Sequence, residues 1–294
     1  MKQRLMLMIN PVSGKQAGLK NEEELVEVLS QKYLVEVFRT TARGDATLFV
    51  KEQGEAYDFI ACCGGDGTLN EVITGLFSLE KKPALICLPA GTTNLLADTL
   101  HIPIKQILLA AEGALAAPAQ PFDIGKMNEH YFSSVVSFGA FADSSYRTPQ
   151  KLKNKLGYGA YVIGGARSLF AIRSYSLQVT ANGKQYDGDY IFGSVSNCVA
   201  VGGIIKFAEN VVQVADGLYE VVLIKKPRSP LALWRTLSCI RKKEYDDRYV
   251  ISFQTDALSL SSAKEIPWTI DGEYRGTFGD VCIQVYPGAV SILY

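Results

Sequence analysis

Apolar positions in the first 120 residues fall in short blocks, separated by stretches with helical spacing. Residues 5–9, 34–39, 57–63 and 84–88 are compact apolar runs, the signature of strands buried on both faces. Between them, 21–32 carries Leu25, Val26, Val28 and Leu29 at helical intervals, and 46–52 and 69–77 are also compatible with helices. This alternation predicts a parallel sheet covered by helices, with ligands at the carboxyl ends of its strands.

Beyond about residue 121 the pattern changes. Residues 123–126, 131–138, 176–180, 190–196, 217–224, 250–253 and 281–285 read as strands, and Asn182-Gly183 as a hairpin turn. Residues 155–170 and 230–243 read as helices. The expected organisation is an α/β domain over 1–120 and a mainly antiparallel domain over 121–287. The segment 288–294 has no turn signal of its own and is expected to return to the first domain.

Composition narrows the class. The chain has 294 residues, 48% of them hydrophobic and 20% charged, as in globular proteins. Lys+Arg and Asp+Glu are both 30, which argues against a dedicated nucleic-acid binder. The apolar run at 5–9 is too short for a signal peptide, and no stretch approaches membrane-spanning length. The expected location is cytoplasmic. Six cysteines form no C-x-x-C pair and several sit in apolar runs, as buried free thiols do. With His101 and His130 the only histidines, a zinc site or a histidine-based triad is not expected.

The chemistry concentrates at strand ends. The run at 57–63 feeds into Gly64-Gly65-Asp66-Gly67-Thr68, followed by Leu69, Asn70 and Glu71. Glycines there bring a ligand close to bare N–H groups, and the start of the next helix adds a positive end, so the turn is a phosphate cradle. No G-x-x-x-x-G-K-[ST] occurs, which excludes the P-loop. Asn10-Pro11-Val12-Ser13-Gly14 ends the first strand and Leu88-Pro89-Ala90-Gly91-Thr92-Thr93-Asn94 ends another. Alone, the first reads as an ordinary turn and the second as helix capping by Thr92 or Thr93; the convergence of three loops on one sheet edge argues for a ligand. Asp271-Gly272, like Asp187-Gly188 and Asp216-Gly217, is first of all a turn signal. A functional reading needs Asp271 and Glu273 to face a nucleotide across a cleft, where a carboxylate could deprotonate an alcohol and others could help hold Mg2+.

The Gly-Gly-Asp-Gly-Thr turn resembles the nucleotide motif shared by diacylglycerol, sphingosine and NAD kinases and by phosphofructokinases. Further segments are similar to the bacterial diacylglycerol kinase and related lipid kinase family over nearly the whole chain: 10–14, Thr40-x-x-x-Gly44-Asp45-Ala46, Pro89-x-Gly91-Thr92-x-Asn94, Phe122-Asp123-Ile124-Gly125, the stretches 145–149 and 153–161, Asp216-Gly217 and Asp271-Gly272-Glu273. NAD kinases lack the second-half segments. The resemblance implies an α/β nucleotide domain and a β-sandwich domain, with ATP and a lipid hydroxyl meeting between them at the membrane surface. ATP would contact Asn10, Pro11, Val12, Ser13, Gly14, Thr40, residues 65–71, Thr92 and Asn94. Asp66 would join the nucleotide and metal network. Asp271 and Glu273 would be the general base and its partner, in unranked order. Asp216, with backbone groups of Gln213 and Leu218, would match a structural Mg2+ site.

One position departs from the family pattern: Leu95 follows Asn94 where an aspartate is usual, and Asp98, one turn on, could compensate. Two rivals therefore stand beside a lipid kinase: a kinase of a soluble hydroxyl such as NAD or a small polyol, and a nucleotide- or lipid-binding regulator without catalysis. Lysine and arginine groups at 151–155, 225–228 and 241–243 could touch anionic head groups, though solvated charge explains each as well. A homodimer is left open.

Overall fold

The computed structural model describes residues 2–14, 16–139, 173–201, 205–207 and 212–294. The expected helix at 155–170, the segments 145–149 and 153–161, and the cations at 151–155 lie outside the described residues.

In the first half, strands β1 (Arg4–Ile9), β2 (Leu34–Arg39), β3 (Phe59–Gly64) and β4 (Ala84–Pro89) pair in the parallel order β2-β1-β3-β4. Leu5, Leu7, Ile60, Ala61, Leu85 and Ile86 are wholly buried, as befits strands covered on both faces. A four-residue α1 (Ala17–Lys20) precedes α2 (Glu22–Ser30), whose Leu25 and Leu29 face the core. Next come α3 (Asp45–Gln53), α4 (Asp66–Leu76), α5 (Leu95–Thr99) and α6 (Ile107–Ala116). Helix α5 is the one expected after the 88–94 loop, whereas α6 was not expected: it is apolar on most faces and gives little periodicity to read.

In the second half, β5 (Ala119–Met127), β6 (His130–Phe132), β7 (Val135–Gly139), β8 (Tyr175–Ala181), β9 (Lys184–Ser196), β12 (Tyr219–Lys225), β13 (Val250–Thr255), β14 (Ala257–Ile270) and β15 (Glu273–Leu293) pair antiparallel. The short β10 (Ala200–Val201) and β11 (Ile205–Lys206) form their own pair, and α7 (Pro230–Lys242) packs near β13. The strand expected at 131–138 is two strands, because Ser133 and Ser134 turn their backbone N–H groups onto the Asp271 carboxylate instead of a ladder.

Strand β15 passes from one half to the other. Its early part pairs with β14, and Ile292 and Leu293 pair in parallel with Leu85 and Ile86 of β4. Between these stretches its register against β5 shifts after Tyr286, and Gly288 takes φ 56, a conformation that favours glycine. The wholly buried Asp123 fixes this corner: its carboxylate accepts from the N–H of Gly217 at 2.6 Å and of Gly288 at 2.7 Å. Burial pushes its pKa up, and the two N–H groups hold it down.

The cysteines divide by place. Cys62, Cys63, Cys87 and Cys198 are buried, whereas Cys239 is half-buried and Cys282 is exposed on β15, so burial does not extend to all six. Burial pushes the thiols of Cys63, Cys87 and Cys198 to about 12, leaving roughly one part in 10⁴ as thiolate at pH 8. Iodoacetamide on the native protein at pH 8 is therefore expected to modify Cys282 first and Cys239 more slowly. The other four should label only after unfolding; fast native labelling of Cys62 or Cys87, read by peptide mass spectrometry, would contradict this packing.

Candidate active site

Three strand-end loops meet at backbone distance. A Cβ added to Gly91 would lie 2.5 Å from Gly65 Cα, and one added to Gly14 would lie 2.2 Å from the Ala90 carbonyl oxygen. Only hydrogen side chains fit at such separations, which is the physical content of the glycines at 14 and 91. Asn10 closes the first loop onto the second: its Nδ2 donates to Thr68 Oγ1 at 2.8 Å, and its Oδ1 accepts the Val12 N–H at 3.1 Å. Val12 is 79% exposed, and Pro11, Ser13 and Gly14 remain accessible at the rim.

The helix after the glycine turn begins at Asp66, three residues earlier than the apolar spacing indicates, because the Leu69 N–H already bonds the Gly65 carbonyl at 3.0 Å. The early start leaves the N–H groups at Asp66, Gly67 and Thr68 at the helix's positive end, where an anion binds. Asp66 Oδ1 accepts the Leu95 N–H at 2.7 Å. Burial first, then the negative charge of Asp271, pushes Asp66 up to about 6, against N–H groups that favour its ionised form.

Several of the expected site residues also make internal contacts. Asn94 (φ 53) spends both side-chain atoms on Gly91, with Oδ1 accepting its N–H at 2.9 Å and Nδ2 donating to its carbonyl at 2.8 Å. Helix α5 starts after Asn94 with no side-chain cap, so neither Thr92 nor Thr93 caps it; both are exposed. Leu69 is core, and Thr40 is buried at the end of β2. Glu71 Oε1 accepts the Gly44 N–H at 2.9 Å, tying the 40–46 segment to α4. Leu95 packs against the apolar cluster of Val135, Phe192 and Cys198, and Asp98 is exposed.

Asn70 bridges the two halves. Its Nδ2 donates to the Tyr131 carbonyl at 2.7 Å and to Asp271 Oδ2 at 3.2 Å, and its Oδ1 accepts from Arg275 Nη2 at 3.2 Å. Asp271 (φ 47) and Gly272 (φ 84) form the tight turn between β14 and β15. The Asp271 carboxylate is buried and accepts the N–H groups of Ser133, Ser134 and Val135 at 3.1, 2.9 and 2.9 Å. Burial pushes its pKa up, opposed by those donors.

Glu273 differs in every respect. Its side chain is 47% exposed and reaches Arg43 at 3.3 Å and Arg275 at 3.9 Å. It lies against the nucleotide turn: a Cβ on Gly67 would meet its Oε1 at 2.6 Å. Arg43 and Arg275 are absent from the sequence expectations, and Asp123 enters them only within the 122–125 segment, without a role. An acid inside the apolar run 122–125 was a visible signal for Asp123, but nothing local marks the arginines.

At the remaining predicted site, Asp216 is exposed and its Oδ1 accepts the Leu218 N–H at 2.9 Å, leaving Oδ2 free. Gln213 is exposed nearby in sequence. Carboxylate and carbonyl oxygens on a turn are a donor set that suits Mg2+. Close in charge to Asp216 lies Glu220, whose Oε2 is buried without a partner and whose carboxyl burial pushes to about 7. Among the described residues, no group of three or more His, Cys, Asp or Glu side chains gathers as a metal cluster.

Two family models match successive parts of the chain. Residues 4–127 match the diacylglycerol kinase catalytic domain, and 134–294 match the YegS C-terminal NAD kinase beta sandwich-like domain. A diacylglycerol kinase of Bacillus subtilis (strain 168) is 30% identical over 285 residues, covering 96% of this chain and 94% of its own. One from Staphylococcus aureus (strain Newman) is 31% identical over 281 residues, covering 94% and 88%. A solved structure of a candidate diacylglycerol kinase from Bacillus anthracis str. Sterne superposes with a TM-score of 0.81 at 26% identity, covering 99% of this chain and 95% of its own.

Proposed function

The chain belongs to the bacterial diacylglycerol kinase family, and from that premise we propose that it transfers the γ-phosphate of ATP to a lipid hydroxyl, turning diacylglycerol into phosphatidic acid. The observation that carries the reading is Glu273: an accessible carboxylate set against the glycine turn at the start of α4, with Asp271 locked behind it. The N–H groups at 66–68 and the rim at 10–14 receive the phosphates. Glu273 takes the proton of the acceptor hydroxyl, whose oxygen attacks the γ-phosphorus as the bond to ADP breaks. Arg43 and Arg275 keep positive charge beside that carboxylate and the incoming phosphates.

When bound, Mg2+ would neutralise phosphate charge during transfer; Asp66 would serve it at the nucleotide. Asp216, with backbone groups of Gln213 and Leu218, would hold a second, structural Mg2+ near the corner that Asp123 anchors. Leu95 favours one second reading. With an apolar side chain where the family carries aspartate, the protein would bind nucleotide and lipid as a regulator without turnover.

The test is ADP release from Mg2+-ATP with diacylglycerol, monoacylglycerol, ceramide and sphingosine in mixed micelles, and NAD and glycerol in buffer. Turnover is expected on diacylglycerol and lost on chelation of Mg2+. Turnover confined to NAD or glycerol overturns the lipid assignment, and silence across the panel despite ATP binding moves the regulator reading forward.

A further inference from the structure

Helix α7 carries an apolar and cationic outer face. Its inner side is fixed: Thr236 and Ile240 are buried, with Ile240 and Cys239 against the cluster containing Val135, whose N–H holds Asp271. The start is well made, with Pro230 in the first turn and Ser229 Oγ accepting the Ala232 N–H at 3.1 Å. On the outer side Leu231 is 58% and Trp234 62% exposed. Three residues apart on a helix, they form one contiguous patch.

Charge sets this segment apart from the rest of the chain. Residues 225–243 contain seven lysines and arginines and no acid, in a chain whose formal net charge is zero. Arg235 is engaged with Tyr249, and Lys243 with the Phe207 carbonyl. Arg228, just before the helix, and Arg241 and Lys242, in its last turn, are exposed, with the acids Glu244 and Asp247 exposed just beyond. An exposed tryptophan and leucine flanked by cations is the composition of a helix that lies in a bilayer interface. Among the described residues no helix is long and apolar enough to cross a membrane, so such contact would be peripheral.

We propose that the outer face of α7 docks on the surface of a phospholipid bilayer containing anionic lipid, with Leu231 and Trp234 entering the interface and Arg228, Arg241 and Lys242 on head groups. The helix packs on the apolar cluster that contains Val135, whose N–H bonds Asp271, and that Leu95 also packs against, so docking there would bring this side of the protein to the membrane. The inference deepens the lipid kinase reading and rests on it for its purpose, while docking itself needs no turnover.

The experiment is binding of the full chain, without ATP, to phosphatidylcholine vesicles with and without phosphatidylglycerol. Of the two tryptophans, Trp268 is 1% exposed, so quenching by brominated lipid reads Trp234. Expected are quenching and co-sedimentation on the anionic vesicles, a roughly tenfold loss in Leu231→Ser/Trp234→Ser, and about fivefold per cation lost in Arg241→Gln and Lys242→Gln. Because these side chains are exposed, the variants should unfold at the parent temperature. Absence of Trp234 quenching in the parent protein overturns the proposal. So does unchanged vesicle binding in the double variant, including the case where it turns a dimer into a monomer. Turnover on a water-soluble short-chain diacylglycerol separates the two ideas: if it persists while vesicle binding fails, docking falls and the kinase reading stands; if binding holds without any turnover, the reverse is true.

Discussion

Glu273→Gln is expected to lower turnover about 10²–10⁴-fold, the usual worth of a general base, with ATP binding and the unfolding midpoint close to those of the parent. The amide keeps the size of the side chain and removes only the proton acceptor. Little stability is at stake, because the contacts to Arg43 and Arg275 are made by a half-exposed side chain, and exposed pairs contribute about 0–1 kcal/mol. Glu273→Asp, one methylene shorter, should fall between the two. The measurement is steady-state ADP release alongside calorimetric ATP binding and a urea titration. Turnover within a few-fold of the parent would remove Glu273 from the chemistry and leave the accessible cleft without a carboxylate in that role. Loss of ATP binding in step with turnover would instead make Glu273 part of the nucleotide site.

Much of the frame of this site was legible because it depends on local rules. Apolar runs ending in glycine turns gave parallel strands and loops on one edge, and the spacing at 21–32 gave α2. What escaped depends on contacts remote in sequence. Asn70 and Asp271 meet across 201 positions, and Asn70 and Arg275 across 205; no periodicity encodes such pairs. The split of the 131–138 run has the same origin: two serines give up ladder bonds for a carboxylate 137–138 positions away. Asn94 shows another such limit, since its side chain completes a closed bond pair with Gly91 three residues back. Asp271-Gly272 forms the turn that its sequence signals, and its carboxylate has a second, structural part. It is a left-handed turn, as Asp-Gly predicts, and its side chain is also a buried acceptor, which the turn signal cannot reveal. Leu95 shows how backbone and side chain can diverge: its N–H reaches Asp66 while its side chain joins an apolar cluster.

Asp271→Ala is expected to cost stability on the order of 4 kcal/mol, since hydrogen bonds to a charged group contribute about 1.5–3 kcal/mol each and do not add fully. The substitution strands the N–H groups of Ser133, Ser134 and Val135 in a buried position, together with Asn70 Nδ2. Against a typical stability of about 5–15 kcal/mol, that loss would show as a large fall in the urea midpoint. Asp271→Asn should cost roughly half as much, about 2 kcal/mol. Its carbonyl can keep the Ser134 and Val135 donors, but its NH2 then faces two other donors, Ser133 N–H and Asn70 Nδ2. Both variants should also lose activity, because the same carboxylate fixes the turn from which Glu273 projects. The pattern across the two sites is therefore asymmetric: Glu273 variants lose turnover at constant stability, and Asp271 variants lose both. If Asp271→Ala unfolds at the parent's urea midpoint and loses only turnover, the carboxylate is not the brace that its donors imply, and proton transfer would have to be assigned to it instead.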